Sequence, residues 1–134
     1  LQINPNDKTV LINKISLFRK TGEFHKAVAI CDELLKNNPD EIIVLYHKLR
    51  ILKKLDRFAE SNTICMKLAD IYPENGEVLY EMASNFLKLG DVEQFLNSLQ
   101  KAVNALPNLK NKSRQNKEFE KFFTDERFMN IVSY

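Results

Sequence analysis

The sequence predicts an all-α solenoid of three helix-turn-helix repeats, followed by a C-terminal capping segment. The four prolines, Pro5, Pro39, Pro73 and Pro107, are spaced 34 residues apart along the 134-residue chain. A fixed period of about 20 to 50 residues is the mark of a repeat architecture. The chain has only three glycines besides these prolines, so few residues break helices and long helices are favoured over many short strands.

Alignment on the prolines divides the chain into three full repeats, residues 8–41, 42–75 and 76–109. Equivalent positions then carry similar side chains. The aligned apolar sets are Leu11, Leu45 and Leu79; Phe18, Leu52 and Phe86; Phe24, Phe58 and Val92; and Leu34, Leu68 and Ala102. This register indicates that the three repeats fold in the same way.

Each repeat has the sequence features of a helical hairpin. In the first repeat, apolar residues at 11, 15 and 18 mark one face of a helix. Gly22 is predicted to end that helix, because glycine readily takes the left-handed conformation found just after a helix C-terminus. Gly90 and Asp56 are the equivalent residues, and aspartate tolerates such a turn. The inner face of the second helix is made by Phe24, Ala27, Val28, Cys31, Leu34 and Leu35.

The prolines separate one hairpin from the next. A residue that precedes proline is driven out of helical geometry, so the second helix is predicted to end before Pro39. The acids that follow the prolines are expected at the start of the next helix, where free amides and the positive end of the helix dipole favour carboxylates. These acids are Asp7, Asp40, Glu41 and Glu74.

These features resemble the tetratricopeptide repeat family, whose unit is a helix-turn-helix hairpin of 34 residues. The resemblance covers residues 8–109 and implies a right-handed α-solenoid. Family positions four, eleven and thirty-two are matched by the aligned leucines, by Phe18, Leu52 and Phe86, and by the prolines. Pentatricopeptide repeats have a longer unit and ankyrin repeats a different turn, so both fit less well.

The chain departs from the family pattern at positions eight and twenty, where the family prefers two small residues for close helix crossing. Each repeat has one large and one small residue there. The pairs are Ile15 with Ala27, Leu49 with Ser61, and Ala83 with Phe95. A close-packed interior requires such volume compensation, so these departures support the predicted hairpins.

Both ends of the chain differ from a full repeat. "LQINP" at 1–5 matches "LKNNP" at 35–39, so residues 1–7 are predicted to be the tail of an upstream repeat, and a longer protein is expected. Residues 110–134 are predicted to be a basic connection and C-terminal capping helices, with a mobile stretch over 108–117. The phenylalanines after it are expected to lie on the third hairpin, and Thr124 and Asp125 to cap a helix.

Composition excludes several classes of function. A net charge of +2 is too small to indicate a nucleic-acid or membrane partner, no aromatic–basic ladder is present, and no apolar run could span a bilayer. Two cysteines are too few for a disulfide scaffold, so the cytoplasm is the expected compartment. No cofactor is expected, and the absence of a nucleophile or acid with an oriented partner predicts a non-enzyme.

The cysteines and histidines are not expected to form a site. Cys31 and Cys65 occupy the same repeat position on the inner face of second helices, where they are predicted to act as small core residues rather than a redox pair. His25 is expected to be solvated, whereas His47 lies on a first helix. No spacing of these residues matches a metal ligand set, so no metal is expected.

The resemblance implies that a partner segment binds in a concave groove made by the first helices. The residues predicted to contact it are Ile12, Asn13, Ser16, Ile43, Tyr46, His47, Arg50, Glu77, Tyr80, Glu81 and Ser84, with Thr9, Arg19, Lys53 and Leu87 at further groove positions. Tyrosines suit an interface because they are amphipathic, and Arg50 can bind a carboxylate with two hydrogen bonds.

The family's clamp for chaperone tails uses lysine, asparagine and arginine in this groove. Here the clamp positions hold Ile12, Ser16, His47, Glu77 and Glu81. Two acids would repel a C-terminal carboxylate, so a ligand with apolar and basic groups is expected instead.

The predicted function is therefore protein–protein recognition or scaffolding, with another protein or peptide as partner and no nucleic acid or membrane. Two alternatives stay open from the sequence. The chain could be a regulatory or substrate-docking domain of a larger enzyme. It could also be a self-association module in which residues 1–10, at the end of the array, stack on another chain.

Overall fold

The computed structural model describes residues 7–133, and within that range the regular secondary structure is helical, with no β-strand. This result confirms the all-α prediction. The helices are α1 (Lys8–Lys20), α2 (Phe24–Asn37), α3 (Ile42–Lys54), α4 (Phe58–Ile71), α5 (Gly76–Lys88), α6 (Val92–Ala105), α7 (Leu109–Arg114), a 3₁₀ helix (Lys117–Phe122) and α8 (Glu126–Val132). Apart from Asp7, the predicted upstream tail lies outside the described residues.

The first helices, α1, α3 and α5, begin at the first residue of each predicted repeat. The residue after each first helix that was predicted to turn the chain has a positive φ, namely 77° at Gly22, 58° at Asp56 and 81° at Gly90. The left-handed conformation is therefore used at all three positions, and Asp56 adopts it without being glycine.

Side-chain caps begin several helices. Asp7 Oδ1 accepts a hydrogen bond of 2.8 Å from the amide of Thr9, and Asp125 Oδ1 accepts one of 3.0 Å from Phe128. Glu41 precedes α3 without a capping bond, and Asn75 rather than Glu74 caps α5. The acids after the prolines are thus capping residues at some joints only, because a shorter side chain reaches the free amides more readily.

The chain divides into two compact units, one ending at Ile64 and the other beginning at Cys65, within α4. The first unit is built around a fully buried cluster in which α1, α2 and α3 meet. Its members are Ile15, Ala27, Cys31, Val44 and Ile51, with Ile12, Phe18, Phe24, Val28, Ile30, Leu34, Leu35 and Leu55 packed against them. Leu49 and Ser61 are also completely buried, and the two large–small pairs of this unit therefore lie in its core.

The second unit contains the α5–α6 hairpin and the C-terminal segment. Ala83 and Phe95 are fully buried, so the third pair also lies in a core, with the large residue on the second helix. Phe95 packs against three phenylalanines of the C-terminal segment, with ring centroids 5.0 Å from Phe119, 5.1 Å from Phe122 and 6.5 Å from Phe128. These rings therefore cover Phe95 of the hairpin.

The predicted mobile connection is partly regular, which corrects the expectation for residues 108–117. Leu109–Arg114 forms α7, in which Leu109 and Ser113 are buried. The serine hydroxyl donates a hydrogen bond of 2.7 Å to the carbonyl of Leu109, so its polar group is satisfied inside the helix. Arg114 donates a hydrogen bond to the carbonyl of Val132 in α8. A polar, basic sequence is helical here because tertiary contacts hold it.

Within the described part of the chain, none of the helices combines the length and the apolar character that crossing a bilayer requires.

Candidate functional site

In the first unit, the predicted partner residues of α3 form one partly exposed stripe. Ile43, Tyr46, His47 and Arg50 are three or four residues apart, which places them on one side of the helix. Ile43 is 54% exposed although it is a large apolar residue, and Arg50 is exposed as well. The guanidinium of Arg50 lies over the ring of Tyr46, 5.8 Å from its centroid. A flat aromatic surface beside a cation is suited to contact with another protein.

Helix α1 adds Arg19 to this stripe. Arg19 Nη1 lies 2.8 Å from His47 Nδ1. A guanidinium can only donate, so Nδ1 of His47 must accept, and the imidazole is neutral with its proton on Nε2. Burial lowers the pKa of His47, and the charges of Arg19 and Arg50 lower it further. We call Arg19, Tyr46, His47 and Arg50 the basic face.

The basic face contains two like charges that no nearby acid compensates. Burial lowers the pKa of Arg19, and the positive charge of Arg50 is the next largest cause. Four acids of this unit form ion pairs elsewhere, namely Lys8–Glu41, Lys26–Glu23, Lys48–Asp32 and Arg57–Glu60. Among the described residues, no carboxylate lies within ion-pair distance of Arg19 or Arg50.

The other predicted residues of α1 lie near this face to different degrees. Ile12 is half-buried and packs against the core of the unit. Asn13 is exposed and Ser16 is half-buried. The structure therefore brings His47 into contact with Arg19 and places Arg50 on the same side of α3 as His47, whereas Ile12 packs against the core.

The equivalent positions of the second unit are covered by the protein's own C-terminal segment. Tyr80 is only 5% exposed, because its ring packs edge-on against Phe119 at 5.7 Å and its hydroxyl accepts a hydrogen bond of 2.9 Å from Asn116. Burial raises the pKa of Tyr80. Ser84 is 6% exposed and donates a hydrogen bond of 3.3 Å to Glu118. A partner could reach Tyr80 and Ser84 only after this segment moves away.

Glu77, an acid of the same helix, also lies close to the C-terminal segment. Lys112 Nζ lies 4.8 Å from the centroid of the Tyr80 ring and 4.0 Å from a carboxylate oxygen of Glu77. Glu81 is half-buried. The expectation of a partner with basic groups rested on Glu77 and Glu81. In the structure, the cation near Glu77 is Lys112 of the same chain.

Two features of these surfaces were not recognised in the sequence. Arg19 was placed at a groove position, but its bond to His47 was not predicted. The repeat alignment contains a signal for this bond. Arg19 is at position twelve of its repeat, His47 is at position six of the next one, and both positions belong to first helices. Asn116 and Glu118 were missed as residues that cover Tyr80 and Ser84, because no local pattern shows where a non-repeating segment packs.

Neither cysteine is in a disulfide, and both are completely buried. Burial raises the pKa of the Cys31 thiol to about 12, so it is protonated at neutral pH. A thiol in that state is a poor nucleophile and a poor metal ligand. Within residues 7–133, no group of three or more histidine, cysteine or acidic side chains is arranged to hold a metal ion.

Comparison with known proteins identifies the fold. No family model and no curated protein matches the chain. Solved structures of MamA do match, although their sequences are 17–18% identical. MamA 41-end from Desulfovibrio magneticus RS-1 matches with a TM-score of 0.80 over 95% of this chain and 71% of that one. MamA MSR-1 gives 0.77 over 98% and 76%, and MamA AMB-1 gives 0.74 over 93% and 74%.

At this low identity the likeness establishes the fold alone. The chain has the all-α, tetratricopeptide-repeat-like fold of the MamA structures, and the fold class predicted from the sequence is confirmed.

Proposed function

We propose that the protein is a protein-interaction module without chemistry of its own, and that a partner segment binds to the first-helix surface of the first unit. That surface consists of Ile12, Asn13, Ser16, Ile43, Tyr46, His47 and Arg50, together with Arg19. The observation that carries the proposal is the contrast between repeat equivalents: Tyr80 and Ser84 are buried under the C-terminal segment, whereas Tyr46 is half-buried and Arg50 is exposed.

The composition of this surface supports binding of a protein segment. Ile43 exposes a large apolar side chain, and Tyr46 and Arg50 are the residue types enriched where proteins bind each other. The helices are held by a packed core, so little conformational entropy is lost when a segment docks on them.

The predicted partner residues of the second unit remain part of the proposal as a surface of their own. Glu77, Tyr80, Glu81 and Ser84 are proposed to contact a partner only when the C-terminal segment is displaced from them. While that segment is in place, binding is proposed to depend on the first unit.

The proposal includes a cytoplasmic location. Two buried thiols that are not in a disulfide, one of them with a raised pKa, suit a reducing compartment, where disulfides are rare.

The test is affinity capture from a lysate of the cells that produce the protein, with captured proteins identified by mass spectrometry. Wild type is compared with a variant in which Tyr46 and Arg50 are both replaced by Ala. We expect the variant to lose the proteins that wild type retains. Tyr72→Ala is the matched control, because Tyr72 is an exposed tyrosine outside this surface. Equal capture by the wild type and the double variant would overturn the proposed site.

Light scattering on the same samples addresses self-association. If the double variant changes the mass of the particle rather than the set of captured proteins, the partner is a second copy of this chain.

A further inference from the structure

We propose that the partner segment is acidic, with a carboxylate bound between Arg19 and Arg50 and a neighbouring aromatic side chain packed on Tyr46. This inference rests on the proposed function and specifies the chemistry of its partner.

The first argument is the donor set of the basic face. Arg19 is bonded to His47, and Arg50 lies one turn after His47 on the same side of α3. In the described part of the chain, neither arginine forms an ion pair with a carboxylate. His47 is held neutral by its bond to Arg19 and keeps an Nε2–H as a further donor. Two positively charged guanidinium groups and one imidazole N–H therefore belong to the same face, and no negative charge of the described chain is paired with either guanidinium. A carboxylate accepts from such groups with short, charge-assisted hydrogen bonds.

Relief of repulsion adds to this attraction. A guanidinium that is half-buried beside a second one is less stable than in water, as the lowered pKa of Arg19 indicates. An anion placed between the two charges stabilises both of them, and it does so more strongly where the site is partly shielded from solvent.

The second argument comes from the other unit and is independent of charge. The repeat period makes Tyr80 the equivalent of Tyr46, and Ser84 the equivalent of Arg50. In the second unit these positions bind consecutive residues of the C-terminal segment. Glu118 accepts a hydrogen bond from Ser84, and Phe119 packs on Tyr80.

The C-terminal segment is thus an internal example of what this surface of a first helix binds. An acid lies on the ninth position of the repeat and an aromatic ring lies on the fifth. In the second repeat the ninth position is arginine rather than serine, which strengthens the preference for an acid. By the same arrangement, we expect the partner to place an acid on Arg50 and an adjacent aromatic side chain on Tyr46.

The experiment selects ligands without assuming a sequence. A random-peptide library displayed on phage is panned against the full chain. We expect the selected peptides to be enriched in Asp or Glu adjacent to Phe, Tyr or Trp. The best of them is labelled with a fluorophore, and its binding is measured by anisotropy beside a counterpart in which each acid is replaced by its amide.

Loss of the acid is expected to weaken binding about tenfold or more, because a charge-assisted hydrogen bond is lost. Arg50→Gln and Arg19→Gln are expected to weaken binding of the acidic peptide by a similar factor. Binding of the amide counterpart should stay unchanged in both variants. Lys36→Gln removes the same charge from an exposed site on α2, and should change binding less than about twofold. Circular dichroism during urea unfolding checks that each variant is folded.

Three results would overturn the inference: selected peptides without acids, equal binding of the acidic and amide peptides, or a binding loss in Lys36→Gln as large as in Arg50→Gln. Failure to select any peptide also counts against it. An oligonucleotide that competes as strongly as the acidic peptide, through Arg50, would assign the face to nucleic acid instead. The proposed function is judged separately, because it fails only if lysate capture does not depend on Tyr46 and Arg50.

Discussion

The hydroxyl of Ser61 donates a hydrogen bond of 2.7 Å to the backbone carbonyl of Leu49, and both residues are completely buried. These two residues occupy the positions at which the helices of a tetratricopeptide hairpin cross. Leu49 is larger than the family's usual residue there, and the small Ser61 lets α4 approach α3 closely enough for this bond. The volume compensation predicted for the pair is therefore accompanied by a polar contact.

Ser61→Ala is expected to lower the free energy of unfolding by about 1 kcal/mol, because it removes one hydrogen bond at a buried carbonyl without creating a large cavity. The measurement is urea unfolding followed by circular dichroism, since the chain has no tryptophan. Thr63→Ala is the matched control: its hydroxyl donates to the carbonyl of Ala59 at 3.1 Å, but the site is exposed. A larger effect at Thr63 than at Ser61 would contradict this account.

Gly76→Ala is expected to destabilise the protein by about 1 to 3 kcal/mol, although alanine is normally favoured over glycine in a helix. A Cβ at Gly76 would lie 2.6 Å from Cβ of Leu106 and 3.2 Å from the carbonyl oxygen of Ala102. Glu77→Ala, at the adjacent exposed position, should change stability by less than about 0.5 kcal/mol. Stabilisation by Gly76→Ala in urea unfolding would show that helix propensity, not this close approach, decides the position.

Phe119→Ala is expected to cost about 3 to 5 kcal/mol, because the ring is fully buried between Phe95, Phe128 and Tyr80. Its removal leaves a cavity and also uncovers the ring of Tyr80. Hydrogen exchange should therefore show faster exchange in the C-terminal segment, in addition to a lower urea midpoint. Glu120→Ala lies in the same 3₁₀ helix at an exposed site and serves as the control. Equal midpoints for the two variants would contradict a capping role for this ring.

Acidification is expected to reduce stability through His47. The folded state keeps the pKa of His47 below its ordinary value of 6.5, so the unfolded chain binds a proton more readily. Stability from this group is fully present above pH 6.5 and is lost as the pH falls through that value towards the folded pKa. The causes are burial, then the charges of Arg19 and Arg50.

His47→Gln tests this effect, because glutamine has an acceptor for Arg19 but does not titrate. Urea midpoints are compared at about pH 7.5 and about pH 5.5. The wild-type midpoint should fall more than that of the variant, since the carboxylates of the chain titrate in both proteins. Parallel pH dependence in the two proteins would show that His47 is not held neutral.

The hairpins could be predicted because their signals are local and repeated. The positive φ at Gly22, Asp56 and Gly90 follows from residue types that tolerate it, and the buried large–small pairs follow from the period and from volume. The helix over Leu109–Arg114 could not be predicted in this way. Its sequence is polar and basic, and its stability comes from contacts with distant residues such as Val132.

The sequence by itself determined the period, the helical hairpins, the turn residues and the apolar faces, because each of these depends on spacing along the chain. The tertiary structure decided which of the equivalent surfaces the C-terminal segment covers. Tyr46 and Tyr80 occupy the same repeat position, yet Arg50 lies over one and the C-terminal segment covers the other. It also decided that Arg19 binds His47 and that, among the described residues, neither Arg19 nor Arg50 forms an ion pair with an acid. Such differences arise from contacts between residues far apart in sequence, which periodicity does not encode.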